Sequence, residues 1–131
     1  NWDLSGTPDP QRFAAVGERL FAAIAYVACE LVEAGVATIE DTDIGARVGE
    51  RWAKGPFELI NAEGVARTLE LVHDLLAPWK EQRVPALLRR QAEHGKPFAI
   101  QLVKSEKLGG LATLTINRPD ALNALNPEVV K

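Results

Sequence analysis

The sequence predicts a mainly α protein, about five helices followed by a β-hairpin. Three observations carry that prediction. Apolar residues recur at spacings of three and four from Phe13 to Leu31 and again from Val65 to Leu76, which is the repeat of a helix face. Glycine and proline at Gly35, Gly49, Gly55-Pro56, Gly64, Pro78, Pro85 and Gly95 cut the first part of the chain into helix-sized lengths. After Lys96-Pro97 the period changes to two, with Thr113 and Thr115 alternating with Ala112, Leu114 and Ile116, as in a strand.

The first helix begins at Asp9-Pro10. Asp accepts from free backbone N–H groups, and Pro at the first helical position loses nothing. Phe13, Val16, Leu20, Ile24, Val27 and Leu31 then fall on one face, and Gly35 is a left-handed terminator. Ala14, Ala15, Ala22, Ala23, Ala25 and Ala28 fill much of the rest. Small side chains let another backbone approach closely, so this helix is expected to be contacted on more than one side.

Thr38 caps a second helix, with Asp41 answering three residues on in a variant of the capping box. Asp43-Ile44 lies inside it and Gly49 ends it. Gly55-Pro56-Phe57 opens a short third helix, Gly allowing the turn and Pro starting the helix. Gly64 separates it from a fourth, whose stripe of Val65, Leu69, Val72 and Leu76 is broken by Pro78. Pro85 starts a fifth helix that runs through Leu87 and Leu88 and ends near Gly95.

Residues 99–105 and 111–116 read as strands, joined at Gly109-Gly110, where both residues tolerate positive φ. Pro119 stops the second strand, and Asn126-Pro127 reads as a new helix start. The change of pattern places a domain boundary near residues 95–98: a helical domain over 1–95, then a linker and hairpin over 96–131. An isolated hairpin is marginal in water. It must dock on the helices, pair with another chain, or belong to a sheet with further strands.

A chain of 131 residues is one domain, or one domain and part of another. It starts at Asn1 without a methionine and stops at Lys131 in what reads as the first turn of a helix, so it reads as a piece of something longer. A net charge of −3 argues against a nucleic-acid surface, which needs clustered positive charge, and gives no support for binding an anionic membrane. No apolar run approaches the roughly 20 residues of a membrane span. With Cys29 the single cysteine, an intramolecular disulfide and a cysteine zinc site are both excluded. It reads as a small apolar core residue in a reducing compartment, which fits the cytoplasm.

Few residues stand in a pattern that supports reactive chemistry. No G-x-G-x-x-G is present, and Gly109-Gly110 does not open a helix, so a nicotinamide site is missing. Glu70-Leu-Val-His73 has the E-x-x-H spacing of di-iron bundles, but His94 has Gln91 at the matching place, so His73 reads as a helix-face histidine near Glu70 and Asp74. Ser5 and Ser105 have no His–Asp pattern beside them. Arg83, Arg89 and Arg90 read as a solvated basic face. Trp2, Trp52 and Trp79 read as packing anchors, with Trp52 sealing the corner between the second and third helices. No catalytic, cofactor-binding or metal-binding residue is assigned.

Two segments carry a family resemblance. Residues 33–44, EAGVATIEDTDI, followed by residues 54–59, KGPFEL, and Gly64, are similar to the pattern of the C-terminal domain of 3-hydroxyacyl-CoA dehydrogenases: a long helix, a GVAS..DID turn and helix, then GPFEL.D..G. Asn61 stands where that family has Asp. Residues 111–125, LATLTINRPDALNAL, closely resemble the first hairpin of crotonase-family enoyl-CoA hydratases, where I.LNRP..LNAL runs toward the first helix. The two joined in this order look like the fused hydratase–dehydrogenase enzymes of fatty-acid β-oxidation.

The resemblance implies a parent enzyme that hydrates 2-enoyl-CoA and oxidises 3-hydroxyacyl-CoA with NAD. In the catalytically complete helical domain the long helix carries an Asn-Arg pair. Here that position falls on Glu18-Arg19, so the Arg fits and the Asn does not. Residues 1–95 therefore resemble the second, non-catalytic tandem copy, which takes the place of the partner subunit found in single-copy enzymes. In crotonase enzymes the segment after NRP runs beside the CoA moiety, which by position means Ala121, Leu122 and Ala124. Asp120 stands where several relatives have Lys. The family's oxyanion amides and catalytic glutamates lie beyond residue 131, and its His–Glu base pair lies in the N-terminal dehydrogenase domain. The expectation is a scaffold domain whose partners are the remaining dehydrogenase and hydratase domains, inactive by itself. The alternatives are a dimerising assembly module, giving a homodimer, and an acyl-CoA-binding module.

Overall fold

The computed structural model describes residues 6–7, 9–118, 121–127 and 129–130. The expectations placed on Trp2, Ser5, Pro119 and Asp120 lie outside the described residues. Among them, five helices precede a two-stranded antiparallel sheet, the mainly α class read from the sequence.

Helix α1 spans Pro10–Glu33. Asp9 caps it, accepting from the Gln11 N–H at 3.0 Å, and the chain leaves it through Gly35 at φ 70°. At about 1.5 Å per residue it is the axis of the domain, and it touches each of the other four helices. Helix α2 spans Ile39–Gly49; the Thr38 hydroxyl accepts from the Asp41 N–H at 3.1 Å. Helix α3 spans Pro56–Glu63 and helix α4 spans Val65–Leu76, divided by Gly64 at φ 98°. Helix α5 spans Ala86–His94 and ends on Gly95 in the left-handed conformation. Pro85 offers α5 no side-chain cap, and Glu33 from the end of α1 partly replaces it by accepting from the Leu87 N–H at 3.3 Å.

The core lies where α1, α3, α4 and α5 meet. Phe57, Ile60, Val72, Leu88, Ala25 and Cys29 are fully enclosed. Phe98, just after α5, is 4% exposed and meets the Phe57 ring edge-on, with centroids 5.0 Å apart. The segment following α5 is thus anchored to the helices before the hairpin begins.

The hairpin pairs β1, Val103–Leu108, with β2, Leu111–Ile116. The first strand starts four residues later and ends three residues later than the expected 99–105. A two-residue turn forces Leu108 opposite Leu111, so the partner of 111–116 is 103–108 whatever its polarity. Gly109 alone takes a positive φ, 60°, as the first position of a type II′ turn does. Residues 99–102 are instead held at the helical body, where the Gln101 N–H donates to Glu40 at 3.0 Å. Asn117 closes the hairpin base, its N–H donating to the Leu102 carbonyl at 2.7 Å. Neither strand packs on a helix among the described residues, and Leu108, Leu111 and Leu114 are exposed. Beyond β2, Asn126 accepts from the Val129 N–H at 2.9 Å, and no helix begins at Asn126-Pro127 among the described residues.

Candidate functional site

Helix α1 carries two apolar faces, and the larger-residue face points outward. Ala22, Ala25, Ala28 and Cys29 are buried. Phe13 is 75% exposed and Leu20 61%, with Val16, Val27 and Leu31 also exposed. At 100° per residue the exposed stripe lies nearly opposite the alanine face. The alanines win the inside position because α3 and α4 cross α1 there, and Cβ-sized side chains allow backbones to approach. What remains is an apolar stripe on the longest element, largely open to solvent, with Ile24 half-buried between Leu20 and Val27.

The second constellation is a corner between α2 and α3. Asp43 is buried. One carboxylate oxygen accepts from the Phe57 N–H at 2.7 Å and the other from the Glu58 N–H at 3.1 Å. Asp43 therefore caps a helix fourteen residues downstream, whose own N-cap, Gly55, has no side chain to offer. Gly55 is required there because a Cβ would collide with Cγ, Cβ and Cα of Asp43. Glu58 reaches back to the Gly55 N–H at 2.7 Å, and its other oxygen pairs with Arg47 at 2.6 Å. Burial pushes the Asp43 carboxyl above the ordinary carboxylate range, against the pull of the two N–H donors; Glu58 raises it further and Arg47 lowers it. Both carboxylates in this corner, Asp43 and Glu58, are engaged in joining α2 to α3, so the arrangement locks a turn rather than presenting a reactive carboxylate.

Asn61 is the third. Its amide donates to the Phe98 carbonyl at 2.9 Å and accepts from the Phe98 N–H at 2.7 Å. Only a side chain with both a donor and an acceptor can do this; an ionised Asp cannot. Asn61 departs from the family pattern, but nothing local in the sequence points to its partner, which is 37 residues away.

The remaining sequence candidates are dispersed. Glu18 accepts from Arg67 on α4 at 2.9 Å, an exposed pair that links α1 to α4, and Arg67 also bonds Glu70 within α4 at 3.2 Å. Glu70 is thus turned to Arg67, and no group of three or more His, Cys, Asp or Glu suited to a metal occurs among the described residues. Ala121, Leu122 and Ala124 come together in one turn after Arg118. The N–H groups of Ala121 and Ala124 donate to local carbonyls, Arg118 reaches the Ala124 carbonyl at 2.8 Å, and Leu122 is 93% exposed. Trp79 differs from its expected role as a packing anchor: it is 51% exposed, and the Arg19 guanidinium lies over its ring, 5.9 Å from the centroid. Trp52 is half-buried just past α2, its N–H donating to the Ala46 carbonyl at 3.3 Å. Cys29 sits in the core, where burial, with Glu33 and Glu30 adding to it, pushes its thiol up to about 12. No described helix is long and apolar enough to cross a membrane.

A helical packing domain built on α1, with a locked α2–α3 corner and an appended hairpin, is what these features define. Residues 16–108, more than two-thirds of the chain, match the family described as 3-hydroxyacyl-CoA dehydrogenase, C-terminal domain, and the chain belongs to that family. The match passes the division placed near residues 95–98 and ends at Leu108, the last residue of β1. No curated protein and no solved structure matches the chain.

Proposed function

We propose that this domain is the non-catalytic helical copy of a fatty-acid β-oxidation enzyme, a scaffold that packs through α1 against a neighbouring copy of the same fold. The observation that carries the proposal is the outward apolar stripe of α1, Phe13 to Leu31. A stripe of this kind on a family of oxidoreductase domains marks a protein interface. Glu18, at the position of the Asn in the Asn-Arg pair, is consistent with a copy that does no chemistry: its carboxylate is spent on Arg67. The parent would join this domain to an enoyl-CoA hydratase through the hairpin segment, use NAD in its dehydrogenase half, act on acyl-CoA substrates and work in the cytoplasm. In that parent Ala121, Leu122 and Ala124 would run beside the CoA moiety.

Light scattering on the purified chain and on V16E/L20E/V27E tests the interface. With the native partner missing, the chain should self-associate through α1, and the triple variant should be a folded monomer. A monomer in both cases, or unchanged association in the variant, overturns the interface. Oxidation of a 3-hydroxyacyl-CoA by this chain with NAD, followed by NADH absorbance, would overturn the scaffold role.

A further inference from the structure

We propose that the α4–α5 corner is a binding site for a nucleoside diphosphate or a ligand of the same chemistry, a planar base carrying a diphosphate. A cavity of about 450 Å³ opens there, lined by His73, Trp79, Lys80, Gln82, Arg83 and Arg89 among others. That volume lies within the range of small-molecule sites. No Asp or Glu lines it, although the chain as a whole carries a net charge of −3. Among the described residues, Lys80, Arg83 and Arg89 make no ion pair with any carboxylate. Three permanent cations from one turn and the start of one helix thus share a concave wall with no internal counter-charge. Such clefts concentrate anions, and two guanidinium groups suit phosphate oxygens.

The wall is also held in place. The Gln82 side-chain oxygen accepts from the Tyr26 hydroxyl at 3.0 Å, which ties the turn to α1 and leaves the Gln82 amide its two N–H donors, the polarity an anion needs. Trp79 supplies the remaining element. The Arg19 guanidinium lies over its ring from α1, yet the residue is 51% exposed, which leaves room for a flat base to stack on it. Arg90, which the sequence groups with Arg83 and Arg89, does not line the cavity.

The site is independent of the scaffold role and is measured on V16E/L20E/V27E as well as on the unsubstituted chain. Calorimetric titration with ADP, adenosine and pyrophosphate provides the readout, with circular dichroism confirming that each variant is folded. ADP should bind at least about tenfold more tightly than adenosine, R83Q/R89Q should weaken ADP and pyrophosphate by about tenfold or more, and W79F should weaken ADP while leaving pyrophosphate unchanged. No heat from millimolar ADP, or equal ADP affinity in R83Q/R89Q, overturns the site; equal ADP affinity in W79F overturns the base-stacking assignment.

Discussion

Replacing Asp43 by Asn tests how much of the fold hangs on one buried carboxylate. The carboxylate satisfies two N–H groups at the start of α3, at 2.7 and 3.1 Å. Asn keeps a single acceptor oxygen and turns its NH₂ toward the other donor, so one buried N–H is left facing another. An unsatisfied buried donor costs about 1–3 kcal/mol. Part of that is offset, because the substitution also removes a charge that burial disfavours. The expected net loss is about 1 kcal/mol, below the middle of the range for one orphaned donor because of that offset. With about 3–6 °C per kcal/mol for a chain of this size, Tm should fall by roughly 3–6 °C. Urea unfolding followed by helical circular dichroism would read it as a lower midpoint with an unchanged m-value.

The pH dependence carries a definite sign. The folded Asp43 pKa lies above its unfolded value, so between the two the native state binds more protons than the unfolded state. Stability from this group therefore falls as pH rises through that window. The gap between wild type and Asp43→Asn should widen toward acid and narrow toward neutral pH. A variant within about 0.5 kcal/mol of wild type at neutral pH, or a gap that closes on acidification, would refute the reasoning.

Gly55→Ala drives a Cβ into Asp43 and should cost about 1–3 kcal/mol in the same urea assay, as overpacking does. Asn61→Asp removes the donor to the Phe98 carbonyl and sets a carboxylate against it; a loss of about 1–3 kcal/mol is expected at neutral pH, recovered in part below the Asp pKa, and a pH-independent loss would contradict the two-way bond. Cys29, with its thiol held near 12, should resist alkylation in the native chain at mildly alkaline pH and react once urea is added; rapid native labelling would place it outside the core.

The helices were legible because each is bounded by local chemistry: Asp9-Pro10, Thr38, Pro56, Gly64 and Gly95 act within a few residues of the ends they set. The inside of α1 was not legible. Both faces are apolar, and only the crossing of α3 and α4 decides that Ala25 rather than Leu20 is enclosed. The β1 register was set by the turn at Gly109-Gly110, so hydrophobicity at residues 99–102 pointed to the wrong stretch. The partners of Asp43 and Asn61 lie 14 and 37 residues away, beyond the reach of any periodicity. Trp79 shows the same limit from the other side: its residue type favours burial, and its place on an exposed turn overrides that.

The short sequence distance between Asp43 and α3 has a consequence for the order of assembly. Fourteen residues separate Asp43 from Phe57, whereas fifty-four separate Glu33 from Leu87 across the α1–α5 contact. Closing the longer span loses about 1 kcal/mol more chain entropy than closing the shorter. The α2–α3 elbow is thus the cheaper long-distance bond to form, a ready surface onto which the long first helix condenses.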